Sequence, residues 1–177
     1  MNLDDNTREM LVDRARAATT KAFLASSMGT RYGAAVLTSG GRVFTAGQYS
    51  SFNHVTNVHA EQAAIVFATM AGEPGIVALA VASTSQDELT APCGVCRQIM
   101  IEHAQRTGHD FEVIMSRREN GYVTALVSEL LPRCWRSTGM SQFRAAECPE
   151  PDARLGSSFL ASRARLSDLK VGDHVLL

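Results

Sequence analysis

The chain has 177 residues, 45% of them hydrophobic and 20% charged, which suits one compact globular domain able to fold without disulfide staples. Its net charge of −1 lacks the basic excess that a polynucleotide backbone demands, so a small substrate is expected rather than long DNA or RNA. Residues 1–27 lack a signal peptide's apolar core, and no run approaches the roughly 18 apolar residues of a bilayer span, so no membrane role is expected.

Residues 5–27 carry Met10, Leu11, Ala15, Ala18, Ala22 and Phe23 at roughly helical spacing. YGAAVLTSGGRVFTAGQ (32–48) reads as a hairpin, two apolar strands about Ser39, Gly40 and Gly41. NVHAEQAAIVFATMAG (57–72) reads as a helix with Asn57 as N-cap and Gly72 as stop. GIVALAVAST (75–84) is a continuous apolar run of strand length, as in a strand buried on both faces. CGVCRQIMIEHAQRTG (93–108) has Pro before it and Gly at its end, the punctuation of a helix, with His103 and His109 taken as surface residues. DFEVIMS and GYVTALV read as strands on either side of a turn at 118–121, followed by a short SELLPRCW segment. The order α-β-β-α-β-α-β-β predicts one mixed sheet covered by helices.

The tail differs in kind. ECPEPDARLGSS (147–158) is rich in Pro, Gly, Ser and charge, so a domain over 1–146 and a separate segment over 147–177 are expected. FLASRARLSDLKVGDHVLL (159–177) regains apolar residues. A packed terminal strand, a clasp on a neighbouring subunit and an unordered end all remain open for it.

Four cysteines, Cys93, Cys96, Cys134 and Cys148, in a chain without an export signal read as thiols and point to a cytoplasmic address. Cys-x-x-Cys alone can be a redox pair, a cysteine is often a buried hydrophobe, and a histidine at a helix start is commonly a surface residue. Together they say more. Cys93 and Cys96 share one side of a first helical turn, and His59 and Glu61 share the first turn of another. Two helix starts meeting at one sheet edge would supply a His/Cys/Cys set for Zn2+, with the fourth tetrahedral position left to water. Glu61, two residues past His59, is placed to reach that water. The pattern H-x-E followed by P-C-x-x-C is the zinc-deaminase signature, in which the glutamate carries protons. One imidazole and two thiolates also leave the divalent ion neutral overall, a balance that suits a water ionising near neutral pH.

At VHAEQAA and APCGVCRQ the chain resembles the cytidine deaminase family, and the resemblance extends over roughly residues 15–135. YGAAVLTSGGRVFTAG is similar to that family's opening hairpin, and SELLPRCW to its closing segment. The resemblance implies a three-layer α/β/α fold around a five-stranded mixed sheet. It implies hydrolytic deamination of a cytosine nucleoside, cytidine or deoxycytidine or a modified relative, to the uracil form with loss of ammonia. It implies His59, Cys93 and Cys96 as zinc ligands and Glu61 as proton carrier. The backbone N–H groups of Ala60 and Cys93 would contact the base, and the Ala91 carbonyl would face the leaving ammonia. A homo-oligomer follows, a tetramer favoured over a dimer, although His-Ala-Glu-Gln is more typical of larger dimeric members.

Other positions depart from the family. Where its members read ribose with an Asn-x-Glu pair, this chain has Gln48 and Ser50, and the usual aromatic wall is replaced by Gly29 and Thr30. Gln48 can still hydrogen-bond a hydroxyl, while Ser50 cannot stand in for a carboxylate. Phe52 and Asn53 are further candidates for substrate contact, and Tyr32, Tyr49 and His54 lie in or beside the same segments. Two alternatives follow: a deaminase of cytosine-nucleoside antibiotics of the blasticidin-S type, and a zinc-containing scaffold that binds a ligand without turning it over.

Overall fold

Alternation along the strands decides which helix each side chain meets. The computed structural model describes residues 3–85 and 87–134, so the 1–146 boundary and the 147–177 tail lie outside the described residues. Asp4 caps α1 (Asp5–Ala18), its carboxylate accepting from the Thr7 backbone N–H at 2.7 Å. The helix stops at Ala18 rather than continuing toward residue 27. Thr19 and Thr20 turn their hydroxyls back onto the carbonyls of Arg16 and Ala17, the chain closes one 3-10 turn (Thr19–Lys21), and Phe23 then bridges Tyr49 in extended form.

The hairpin forms as expected from β1 (Tyr32–Thr38) and β2 (Val43–Gly47), turned by Gly41 at φ +79°. α2 runs Ala60–Met70, and its N-cap is His59 rather than Asn57. Asn57 spends its side-chain oxygen on the Ser51 N–H at 2.7 Å, which fixes the preceding loop instead of the helix. β3 (Ile76–Ser83) is buried on both faces, and α3 (Gly94–Thr107) ends on Gly108 in the left-handed region. β4 (Glu112–Ser116), β5 (Tyr122–Leu126) and the single turn α4 (Val127–Leu130) complete the described chain.

The strands line up as β2-β1-β3-β4-β5, with β3 and β4 parallel and the other neighbours antiparallel. On one face Ala35, Ala78, Ala80, Ala82 and Ile114 meet Leu11, Val12 and Ala15 of α1. On the other, Ala34, Val36, Leu79, Val81, Val113 and Met115 meet α2 and α3. This is the three-layer α/β/α arrangement.

Register then places the functional loops. Gly33 pairs with Gly47 and with Ala82, so the end of β2, the start of β1 and the end of β3 lie in one row. The chain leaving β2 toward α2 and the chain leaving β3 toward α3 therefore depart from the same end of the sheet. No helix among the described residues is long and apolar enough to cross a membrane.

Candidate active site

Each helix start is held by backbone before it presents a side chain. Tyr49 and Val58 exchange both backbone hydrogen bonds, at 2.9 and 2.8 Å, which pins the approach to α2. The Gln62 side chain accepts from the His59 backbone N–H at 2.9 Å, so the imidazole is free to face the second helix. At α3, Cys93 is the N-cap and Pro92 beneath it is fully buried. Arg97 donates to the Pro92 carbonyl at 2.9 Å and reaches the Leu130 carbonyl at 3.4 Å, tying the cysteine turn to α4. That clamp gives the arginine after the second cysteine a structural task.

The three expected ligands meet. His59 Nδ1 lies 3.3 Å from Cys93 Sγ and 3.2 Å from Cys96 Sγ, and the two sulfurs are 3.6 Å apart. Zinc bonds of about 2.0–2.1 Å to nitrogen and about 2.3 Å to sulfur, at tetrahedral angles, give ligand–ligand edges of roughly 3.6 and 3.8 Å. The triangle is a few tenths of an ångström tight and otherwise the right shape, so these residues fit the ion. A disulfide needs its sulfurs at about 2.05 Å, and both thiols are free.

Glu61 is buried beside this triangle, 5% exposed. Burial pushes its carboxyl above the ordinary carboxylate range, partly offset by its own backbone N–H, the Cys96 thiol and the charge of His59. Burial likewise pushes the Cys96 thiol up, and Glu61 and Cys93 add to the effect. A bound divalent ion would oppose this effect at Cys96, because it favours the coordinated thiolate.

A cavity of about 270 Å³ opens onto the cluster, close to the small end of ligand sites. His59, Glu61 and Cys93 form its floor, Ala91 flanks them, and Gln48, Ser50 and Asn57 form a polar rim. Tyr32, Tyr49 and Val58 supply the apolar wall, with Tyr49 stacked on Phe23 at 5.5 Å. Ala60 points its methyl into the core. Phe52 and Asn53 do not line the cavity. Ser51 and Thr56 donate to the Asn53 side-chain oxygen, closing a turn that leaves Phe52 87% exposed. Asn57 and Val58 were missed as lining residues, and their nearness to His59 was the available signal. His103, expected at the surface, is half-buried, with Nε2 2.7 Å from the Pro74 carbonyl.

Comparison with known proteins agrees with this geometry. Residues 5–107, more than half of the chain, match the model of the cytidine and deoxycytidylate deaminase zinc-binding region. A probable cytidine deaminase of Dictyostelium discoideum is 32% identical over 102 residues, covering 58% of this chain and 66% of that protein. A cytidine deaminase of Halalkalibacterium halodurans is 29% identical over 134 residues, covering 76% of this chain and 98% of its own. Among solved structures, the cytidine deaminase of Burkholderia pseudomallei superposes with a TM-score of 0.64 at 29% identity, over 75% of this chain and 100% of that one. The cytidine deaminase of Mycobacterium tuberculosis gives 0.62 at 26% identity, over 77% of this chain and 100% of its own. The chain belongs to the cytidine and deoxycytidylate deaminase family, and it is a zinc-dependent hydrolase.

Proposed function

We propose that this enzyme deaminates a cytosine nucleoside at C4, with His59, Cys93 and Cys96 holding the zinc ion and Glu61 carrying protons. One observation carries the reading: a buried carboxyl, pushed by burial above the ordinary carboxylate range, sits against a three-ligand cluster on the floor of an open cavity. When bound, zinc supplies Lewis acidity that lowers the pKa of a coordinated water to about 7. Glu61 takes the proton released as the C4–O bond forms and delivers it to ring N3. It then passes a proton to the amine as the C4–N bond breaks, so water and the cytosine ring become the uracil ring and ammonia. The backbone N–H groups of Ala60 and Cys93 hold the base, and the Ala91 carbonyl faces the amine. Burial keeps bulk water from competing for the proton that Glu61 holds.

None of the relatives named above is a blasticidin-S deaminase, and the antibiotic alternative rests only on the altered positions Gln48 and Ser50. Glu61→Gln tests the reading. The variant should keep its fold and one zinc per chain while turnover of cytidine or a related nucleoside falls about 10³-fold. Near-normal ammonia release would end it.

A cytoplasmic homo-oligomer, a tetramer ahead of a dimer, goes with this assignment. Val66, Phe67 and Met70 stand exposed along α2, an apolar stripe that suits contact between subunits. Sedimentation of the full chain decides the number.

A further inference from the structure

The rim of the cavity has a polarity that its residue types alone do not reveal. Gln48 and Asn57 carry amides, each able to accept or donate. In both, a backbone N–H has already claimed the oxygen. Gln48 Oε1 accepts from Tyr32 N–H at 2.9 Å, and Asn57 Oδ1 accepts from Ser51 N–H at 2.7 Å. A backbone N–H can only donate, so both amide orientations are fixed without ambiguity. Each therefore offers its NH2 group, which has no hydrogen bond to another described residue. Ser50 follows the same rule: its Oγ accepts from Ala25 N–H at 3.2 Å and keeps its proton to give. Apart from Glu61 on the floor, the lining contains no carboxylate, and it contains no lysine or arginine.

We infer that Gln48, Ser50 and Asn57 make a donor-rich rim without an anionic acceptor, which suits cytosine nucleosides whose sugar presents lone pairs in place of hydroxyl protons, such as sugars alkylated or oxidised at their hydroxyls. This rests on the deaminase reading of the same site. A plain sugar hydroxyl can accept from this rim, but its own proton finds no carboxylate there, only neutral oxygens that are weaker acceptors. An ether, carbonyl or carboxylate oxygen loses nothing by lacking that proton. A sugar without oxygen at these positions leaves two amide donors unpaired, the outcome such a site discriminates against most strongly.

The test measures binding and turnover for cytidine, its 2′- and 3′-O-methyl ethers and 2′,3′-dideoxycytidine. Binding is measured by calorimetry on the zinc-loaded Glu61→Gln protein, so it does not depend on catalysis. At least one ether should bind within about threefold of cytidine, and the dideoxynucleoside about tenfold more weakly. Both ethers falling as far as the dideoxynucleoside would overturn the assignment. Gln48→Glu sharpens the result: one carboxylate oxygen still accepts from Tyr32 N–H, and the other replaces a donor with an acceptor of the same shape. The ether-to-cytidine binding ratio should fall about tenfold in that variant. A merely structural role for Gln48 would weaken all ligands alike and leave the ratio unmoved, which also overturns the assignment. If the binding order holds while no nucleoside is turned over by the unsubstituted enzyme, the deaminase reading fails and the rim assignment stands.

Discussion

The two faces of the sheet are built from the same strands and do different work. Toward α1 the strands present mainly alanine: Ala35, Ala78, Ala80 and Ala82. Toward α2 and α3 they present Val36, Leu79, Val81, Val113 and Met115. Small side chains let one helix settle closely, whereas large ones hold two helices away from the sheet over a thicker layer of core. The thicker layer is the one whose helix starts carry the site. The site therefore sits on the face that also buries the larger side chains, among them Leu79, Met100 and Phe111.

The comparison breaks most visibly at the ligands. Cys96→Ser on the wide face should lose zinc and with it turnover beyond about 10³-fold, since water activation depends on the ion. Metal analysis beside an ammonia assay reads both, and a fully active zinc-loaded Cys96→Ser protein would break the assignment. Removing zinc with a chelator should reproduce the loss in the unsubstituted enzyme and lower its thermal midpoint, with both restored on adding zinc back.

The close face answers differently. A Cβ added at Gly33 would sit 2.3 Å from the Ala15 carbonyl oxygen and 2.6 Å from the Thr19 nitrogen, both backbone atoms that cannot swing aside. Gly33→Ala should therefore cost about 1–3 kcal/mol of stability by overpacking. Zinc per folded chain should stay unchanged, because α1 contributes no ligand. Urea denaturation with zinc analysis checks both halves. Loss of metal without loss of stability would mean that the two faces are not separable in this way.

How much of this was legible beforehand follows the range of the interactions. The strands and the two site helices were readable because apolar runs and Gly or Pro punctuation are local signals, and Gly72 and Gly108 end their helices with positive φ as that punctuation implies. The meeting of His59, Cys93 and Cys96, with Glu61 beside them, was readable because zinc chemistry fixes such spacing within each helix start. The N-cap of α2 was misplaced because Asn57 makes its bond to Ser51, across a loop whose path no periodicity encodes. The end of α1 was missed because two threonines bond backward along the chain. The polarity of the rim was beyond sequence altogether: Gln48 and Asn57 can each face either way until a backbone donor chooses.

The smallest expected effect belongs to His103, which lies on α3 yet outside the site. Burial holds its imidazole below the ordinary histidine range, Arg106 adds to this, and the hydrogen bond to the Pro74 carbonyl opposes it. In that bond the Nε2–H donates to the carbonyl oxygen, which is compatible with the neutral ring. A depressed folded-state pKa means that the unfolded chain takes up the proton first as pH falls. The stability tied to neutral His103 is thus present above about pH 6.5 and is lost on acidification below it. His103→Gln keeps an amide donor for Pro74 and has no charge to acquire. Its urea midpoint should decline less between pH 7 and pH 5 than that of the unsubstituted protein. Both proteins also lose zinc binding as their ligands protonate, so the difference between the two declines is the quantity to compare. Identical declines would mean that the folded and unfolded chains take up this proton over the same pH range, with the Pro74 hydrogen bond cancelling the effect of burial.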